Sequence, residues 1–169
     1  VDSQVAVRPK SDARLGDALV LDLRAQRDVA LPEAEQIGPE TFRRSEIENV
    51  RIPASVVVIG ESAFRECARL KTVAFAPNAR LERICADAFA ESALESFTAP
   101  ASLRAISRRA FSGCVNLRFA ALNEGLEALE SGAFQGCVAL ERAELPEGLE
   151  EVAECAFRGA GLKTVEVPS

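Results

Sequence analysis

The sequence predicts a β-rich repeat solenoid of about six coils behind a short N-terminal cap. Three observations predict it. Residues 117–139, LRFAALNEGLEALESGAFQGCVA, recur almost in register as residues 140–161, LERAELPEGLEEVAECAFRGAG. The same template runs back through residues 94–116, 70–93 and 47–69. A phenylalanine marks each copy, at Phe42, Phe64, Phe89, Phe111, Phe134 and Phe157, in steps of 22, 25, 22, 23 and 23 residues. A unit this short cannot bury its own apolar face, so a fixed period of this size implies coils stacked on one another.

The elements follow in chain order. Residues 1–25 lie outside the repeat and are expected to form an N-terminal β cap, with the solenoid occupying 26–169. Residues 4–7 and 18–23 read as two strands flanking the polar turn 8–12. A cap is needed because an end coil would otherwise expose core and strand edge. A degenerate first repeat at about 26–46 carries Val29, Leu31, Ile37 and Phe42.

Each later repeat has three parts. The first is a strand, Leu-x-x-Val-x-Ile/Leu-Pro, in which Leu140, Ala143 and Leu145 point inward and Pro146, lacking a donor, ends the ladder. The second is a short apolar segment, such as Leu103/Ile106 or Leu126/Leu129. The third is Ala-Phe-x-x-Cys/Ser, expected as a helical or 3₁₀ turn that drops the Phe inward. The alanines before each Phe (Ala63, Ala88, Ala110, Ala133, Ala156) allow close packing between coils. The one long step gains two residues around 76–80, in a turn, which leaves the buried positions in phase.

Composition excludes several functions. The chain has 169 residues, enough for one domain with a real core. Its 48% apolar and 27% charged content is that of a globular protein. A net charge of −6 argues against a nucleic-acid partner and against electrostatic docking on anionic lipid. No stretch approaches the roughly 18 apolar residues of a membrane span. The chain opens on Val1 without a methionine and is read as processed or trimmed.

No metal site or cofactor is expected. There is no histidine, and Cys67, Cys85, Cys114, Cys137 and Cys155 contain no CxxC pair. Cys67, Cys114 and Cys137 each lie three residues after a repeat Phe and read as small buried residues. Cys85, standing where two other repeats carry Gly38 and Gly60, is expected to be less buried. Catalysis has no support: histidine and tyrosine are absent, no base partners a cysteine, and no glycine loop suits phosphate. The acidic runs 33–35 and 147–151 fall in turns as solvated charge.

The outward strand positions can be read from the template. The first reads Glu48, Lys71, Glu95, Arg118, Glu141, Lys163, alternating in sign at every step. In-register parallel strands lie about 4.8 Å apart, so this predicts an ion-pair ladder that discourages register slips. The second reads Asn49, Thr72, Ser96, Phe119, Arg142, Thr164, and the third Arg51, Ala74, Thr98, Ala121, Glu144, Glu166. Phe119 is the anomaly. With Thr72, Ala74, Thr98 and Ala121 around it and Arg118 and Arg142 at the rim, it has the composition of an interface hot spot.

The string LxxVxIPxxVxxIGxxAFxxC, carried by Leu162 to Pro168 and by Ile52-Pro53 through Ile59-Gly60 and Ala63-Phe64 to Cys67, resembles the BspA-like, treponemal-type leucine-rich repeat. The resemblance covers about 26–169. The glycine after Ile is kept only at Gly38 and Gly60; Cys85, Ser107, Glu130 and Ala153 replace it. The resemblance implies a curved leucine-rich repeat solenoid with a parallel sheet on its concave face. It also implies a non-enzymatic, exported bacterial protein, at the cell surface, outer-membrane-associated or periplasmic, that binds a host extracellular-matrix glycoprotein. Two alternatives stand beside adhesion. One is self-assembly through the open C-terminal strand at 162–168; the other is carriage of a small hydrophobic ligand in the concave cleft.

Overall fold

The computed structural model describes residues 15–166. A helix, α1 (Asp17–Arg24), precedes thirteen short strands. Seven of them face one way: β1 (Asp28–Ala30), β3 (Asn49–Ile52), β5 (Thr72–Phe75), β7 (Ser96–Thr98), β9 (Phe119–Ala121), β11 (Arg142–Glu144) and β13 (Thr164–Glu166). The six between them have two residues each: β2 (Gln36–Ile37), β4 (Val58–Ile59), β6 (Arg83–Ile84), β8 (Ala105–Ile106), β10 (Ala128–Leu129) and β12 (Glu151–Val152). The chain is a parallel solenoid of the expected repeat, and each short apolar segment proves to be a strand in a second ladder.

Every strand pair is parallel and in register from coil to coil. Ile37, Ile59, Ile84, Ile106, Leu129 and Val152 align along the short-strand sheet. The long strands divide in two. One sheet runs β1-β3-β5 and another β7-β9-β11-β13, with no pairing between β5 and β7. The break coincides with the two extra residues after β5. Pro77 cannot donate a ladder hydrogen bond, and Asn78 turns the chain at φ 59°.

The core is built from stacked columns. Phe42, Phe64, Phe89, Phe111, Phe134 and Phe157 stack with centroids 5.0 to 5.3 Å apart, so each ring lies on the next coil's ring. All but Phe157 are fully buried, and a buried Phe contributes about 1.5–3 kcal/mol. Beside them run Ser45, Cys67, Ser92, Cys114 and Cys137, all buried. The thiols of Cys67, Cys114 and Cys137 donate to the carbonyls of Phe42, Phe89 and Phe111 in the preceding coil, at 3.0 to 3.1 Å. Burial pushes the Cys67 thiol up, as expected of small core residues rather than reactive ones. Cys85 is half-buried and Cys155 exposed.

The Phe segment differs from the expected helical turn. Successive tight turns replace it, and they form a third ladder between coils. In one coil Ser62, Phe64 and Glu66 donate their N–H groups to the carbonyls of Ala86, Ala88 and Ala90 in the next. The residues between them, Ala63, Arg65 and Cys67, bond back to Gly60, Ser62 and Phe64 within their own coil. The alternation requires left-handed residues two positions before and after Phe, as at Ser62 (φ 54°) and Glu66 (φ 57°). Every bond of this ladder points the same way along the stack.

The N-terminal end differs too. Residues 18–23 lie in helix α1, not in a cap strand; residues 4–7 fall outside the described part. Leu15, Leu19 and Leu23 recur every four residues and pack on the first coil. Asp17 opens the helix and Arg24 closes it, the signs that favour its two ends. Arg24 then reaches the Arg43 carbonyl at 2.5 Å, tying the helix to the first Phe turn.

Candidate functional site

The outward side chains of the long strands repeat at equivalent positions in two in-register sets, one on each side of the seam between β5 and β7. Their second position reads Asp28, Asn49, Thr72 on the first sheet and Ser96, Phe119, Arg142, Thr164 on the second. The first half is a hydrogen-bonded row. Asn49 donates to the Asp28 carboxylate at 2.6 Å, and the Thr72 hydroxyl donates to the Asn49 side-chain oxygen at 2.6 Å.

The expected site residues fall into three groups. Thr98, Phe119, Ala121 and Arg142 come together on β7, β9 and β11, with Phe119 between Ser96 and Arg142 and Ala121 between Thr98 and Glu144. Phe119 is half-buried because the Arg142 guanidinium covers its ring, 5.2 Å from the centroid. Arg142 also bonds Glu144 at 2.7 Å and Glu166 at 3.4 Å. Thr72 and Ala74 lie on β5, across the seam between the sheets. Arg118 stands before β9 and lines a separate, polar depression of about 400 Å³ with Glu95, Val115, Asn116 and Ala139.

Of the alternating charge row only one expected pair closes among the described residues, Glu141 with Lys163. Lys163 bonds Glu141 at 2.9 Å and holds its carboxyl below the usual range, with Arg118 adding a smaller attraction. At the other end Arg27 pairs with Glu48 at 3.6 Å. Backbone bonds set Glu48, Lys71, Glu95, Arg118 and Glu141 in sequence between them. No ion pair closes inside that stretch among the described residues.

Sequence reasoning missed a set of depressions on this face. Three adjoining depressions of about 410, 530 and 470 Å³ share Ala74. They follow β1, β3 and β5 and reach over the seam to Thr98 and Pro100. The signal was present in the third-position row, where Arg51 has no acidic neighbour, and in the two inserted residues after β5.

Among the described residues no group of three or more His, Cys, Asp or Glu is placed to hold a metal ion. No described helix is long and apolar enough to cross a membrane.

A parallel solenoid with short strands, turn-borne Phe and Cys columns and an exposed in-register strand face is a leucine-rich repeat structure. The chain belongs to the BspA type leucine rich repeat family, whose model matches six copies over residues 35–163. Proteins of this class are typically protein-interaction modules without enzymatic activity. The pneumococcal vaccine antigen PcpA is similar in structure, with a TM-score of 0.75 and 27% identity over 86% of this chain and 41% of that one. So is the T. pallidum leucine rich repeat protein, with a TM-score of 0.67 and 26% identity over 85% of this chain and 73% of that one. A leucine rich cell surface protein of Faecalibacterium prausnitzii shares the fold, with a TM-score of 0.63 and 21% identity over 85% of this chain and 48% of its own. The chain thus spans less than half of PcpA. No curated protein matches the sequence significantly.

Proposed function

We propose that this chain is a non-catalytic protein-binding module, displayed on a bacterial surface, that takes its partner on the outward face of the long strands. The observation that carries the reading is that face itself. Its outward positions repeat in register within β1 to β5 and again within β7 to β13, and no described group of three or more His, Cys, Asp or Glu is placed to hold a metal ion. The contact surface runs over Thr72, Ala74, Thr98, Phe119 and Ala121, with Arg118 and Arg142 at its rim. A host extracellular-matrix glycoprotein is the partner class this reading takes from the family resemblance, and the likeness to a pneumococcal vaccine antigen supports surface display.

The test is binding to a panel of purified matrix glycoproteins, wild type beside Phe119→Asp/Arg142→Glu, with folding checked by circular dichroism. Saturable binding lost in the variant supports the reading. Binding retained in the variant moves the contact off this face. No binding to any member overturns the matrix partner.

The last described coil favours self-association as a second reading. Val152 and Val165 are 51% and 50% exposed, whereas their register partners Leu129 and Ala143 are fully buried. The turn ladder restricts the geometry. The N–H groups of Cys155, Phe157 and Gly159 find no acceptor among the described residues. Two such ends meeting face to face would oppose donors to donors, so any copy stacking there must present carbonyls. Mass measured over a concentration range tests this, and a monomer throughout sinks it.

A further inference from the structure

The geometry points to a peptide-anchoring groove on the first sheet, centred on Ala74, in which Arg51 takes the carboxylate of an acidic residue set in an apolar peptide segment. This deepens the protein-binding reading and rests on it.

Four observations carry the inference. The first is the state of Arg51. Both of its in-register neighbours are alanines, Ala30 on β1 and Ala74 on β5. It is exposed and makes no ion pair or side-chain hydrogen bond among the described residues. By contrast, Arg142, one position earlier in the template, is committed to Phe119, Glu144 and Glu166. An exposed fork of donors that has no internal partner is available to an outside carboxylate.

The second is the lining. The depression of about 410 Å³ beside Arg51 is walled by Leu31, Ile52, Pro53, Phe75 and Pro77, with Arg51 its only charged group. The depression of about 470 Å³ across the seam is lined by Val73, Phe75, Ala99 and Pro100 among others, with no charged group at all. The third depression, of about 530 Å³, is more polar, with Asp28, Asn49 and Thr72 beside Arg51. The lone cation on small or apolar walls is therefore that of the 410 Å³ depression, which suits an apolar chain bearing one acid. The one carboxylate that lines these depressions, Asp28, accepts a hydrogen bond from Asn49 at 2.6 Å.

The third is the seam. Parallel pairing joins neighbouring long strands everywhere in the described stack except between β5 and β7. There the segments are joined by a backbone bond before the strands, Glu95 N–H to the Lys71 carbonyl at 3.1 Å, and by an edge-on contact of Phe75 with Phe97, 6.1 Å between centroids. One of the three depressions crosses this seam, from Val73 and Phe75 to Thr98 and Pro100.

The fourth is continuity. Ala74 lines all three depressions, so they form one furrow running from Asp28 to Ala101 across four coils. At about 4.8 Å per coil, a segment of roughly five extended residues spans it, at about 3.3 Å each.

The experiment uses the full chain and a labelled octapeptide of alternating leucine and proline with one central glutamate, beside its glutamine and lysine counterparts. Affinity is read by fluorescence anisotropy and the contact mapped by amide hydrogen exchange. The expected result is binding of the glutamate peptide about tenfold tighter than the glutamine one, protection on β1, β3, β5 and β7, and no binding of the lysine peptide. Arg51→Gln should erase the preference, and Ala74→Trp should abolish binding of both by filling the furrow. Equal affinity for all three peptides, protection elsewhere, or no peptide binding overturns the groove. So does a lipid found in the furrow by native mass spectrometry. The matrix panel judges the parent reading separately: partner binding lost in Phe119→Asp/Arg142→Glu yet unchanged in Arg51→Gln keeps the module and removes the groove.

Discussion

The Arg142 guanidinium lies over the Phe119 ring, 5.2 Å from its centroid, while bonding Glu144 and Glu166 on its far side. The two glutamates are register partners on β11 and β13, a like-charge pairing that destabilises parallel neighbours. Arg142 therefore covers an outward aromatic and neutralises two facing carboxylates at once. Arg142→Ala is expected to cost about 1–2 kcal/mol in urea unfolding. A cycle with Phe119→Leu should give a coupling of about 0.5–1 kcal/mol. Added salt should relieve the carboxylate repulsion and leave the ring contact. A coupling of zero would mean that Phe119 is free to meet a partner without first displacing Arg142.

The phenylalanine column predicts a gradient of stability along the stack. Phe111 is sandwiched between Phe89 and Phe134 and also touched by Phe97 at 4.6 Å. Phe157, half-buried, stacks on Phe134 alone among the described residues. Phe111→Ala should cost about 3–5 kcal/mol and Phe157→Ala less than half of that. Circular dichroism is the probe, since the chain has no Trp or Tyr. Equal costs would contradict a column whose energy lies between neighbouring coils.

Glu66 gives the acid limb of stability. Arg44 and Arg43 of the preceding coil both bond its carboxylate and hold it below the usual value of 4.5, Arg44 the more strongly. A depressed folded-state value contributes stability that is present above the unfolded value and lost as pH falls through the folded one. Melting temperatures of wild type and Glu66→Gln should therefore differ at pH 6 and converge on acidification below about pH 4. A gap that persists at pH 2 would mean the loss comes from packing instead.

The thiols should separate by position. Cys155 is exposed, Cys85 half-buried, and Cys67, Cys114 and Cys137 are fully buried. Burial pushes the Cys85 thiol up, with nearby Arg83 opposing, so its thiolate is scarce near neutral pH. Iodoacetamide on native protein at pH 7.5 should modify Cys155 first and Cys85 more slowly, raising pH should speed Cys85, and the other three should wait for unfolding. Rapid loss of all five thiols would mean that the coils open readily.

Much of this was legible in the sequence, for a physical reason. A solenoid repeats its contacts, so Phe42 to Phe157, the alanines before them and Cys67, Cys114 and Cys137 announce their burial by recurrence alone. What recurrence does not cover was read less well. Residues 18–23 have no repeat partner, and the adjacent Leu19, Val20, Leu21 and Leu23 resemble a strand; only the four-residue spacing from Leu15 favours the helix that forms. The Phe turn was misjudged because left-handed positions are filled by Glu40, Ser62, Asp87 and Arg109 as well as by Gly132. In those residues the hydrogen bonds to the next coil override propensity. The depressions around Ala74 lie beside a break in the ladder, which the sequence records only as an insertion after β5 and an Arg51 between alanines.

Gly60 shows how one coil limits the next. It follows Ile59 at the position that Cys85, Ser107, Glu130 and Ala153 fill in later coils. Its φ is not in the left-handed region, so conformational freedom is not what it supplies. Space is. A Cβ there would stand 2.7 Å from the Ile37 carbonyl oxygen and 2.8 Å from both the Gly38 carbonyl carbon and the Pro39 nitrogen, all backbone. Its N–H bonds the same Ile37 carbonyl at 2.8 Å, which fixes the approach. Later coils lack a proline at the facing position and admit a side chain. Gly60→Ala should therefore destabilise by about 1–3 kcal/mol, through a shift of the first two coils. At Gly38 the corresponding contact is a single side-chain atom, Thr41 Oγ1 at 3.2 Å, which can give way. Gly38→Ala should accordingly cost much less, and adding Pro39→Ala to Gly60→Ala should recover little, because the atoms in the way are backbone. Chemical denaturation of the three variants decides it: a Gly38→Ala loss as large as that of Gly60→Ala would place the constraint in glycine's backbone rather than in the coil beneath.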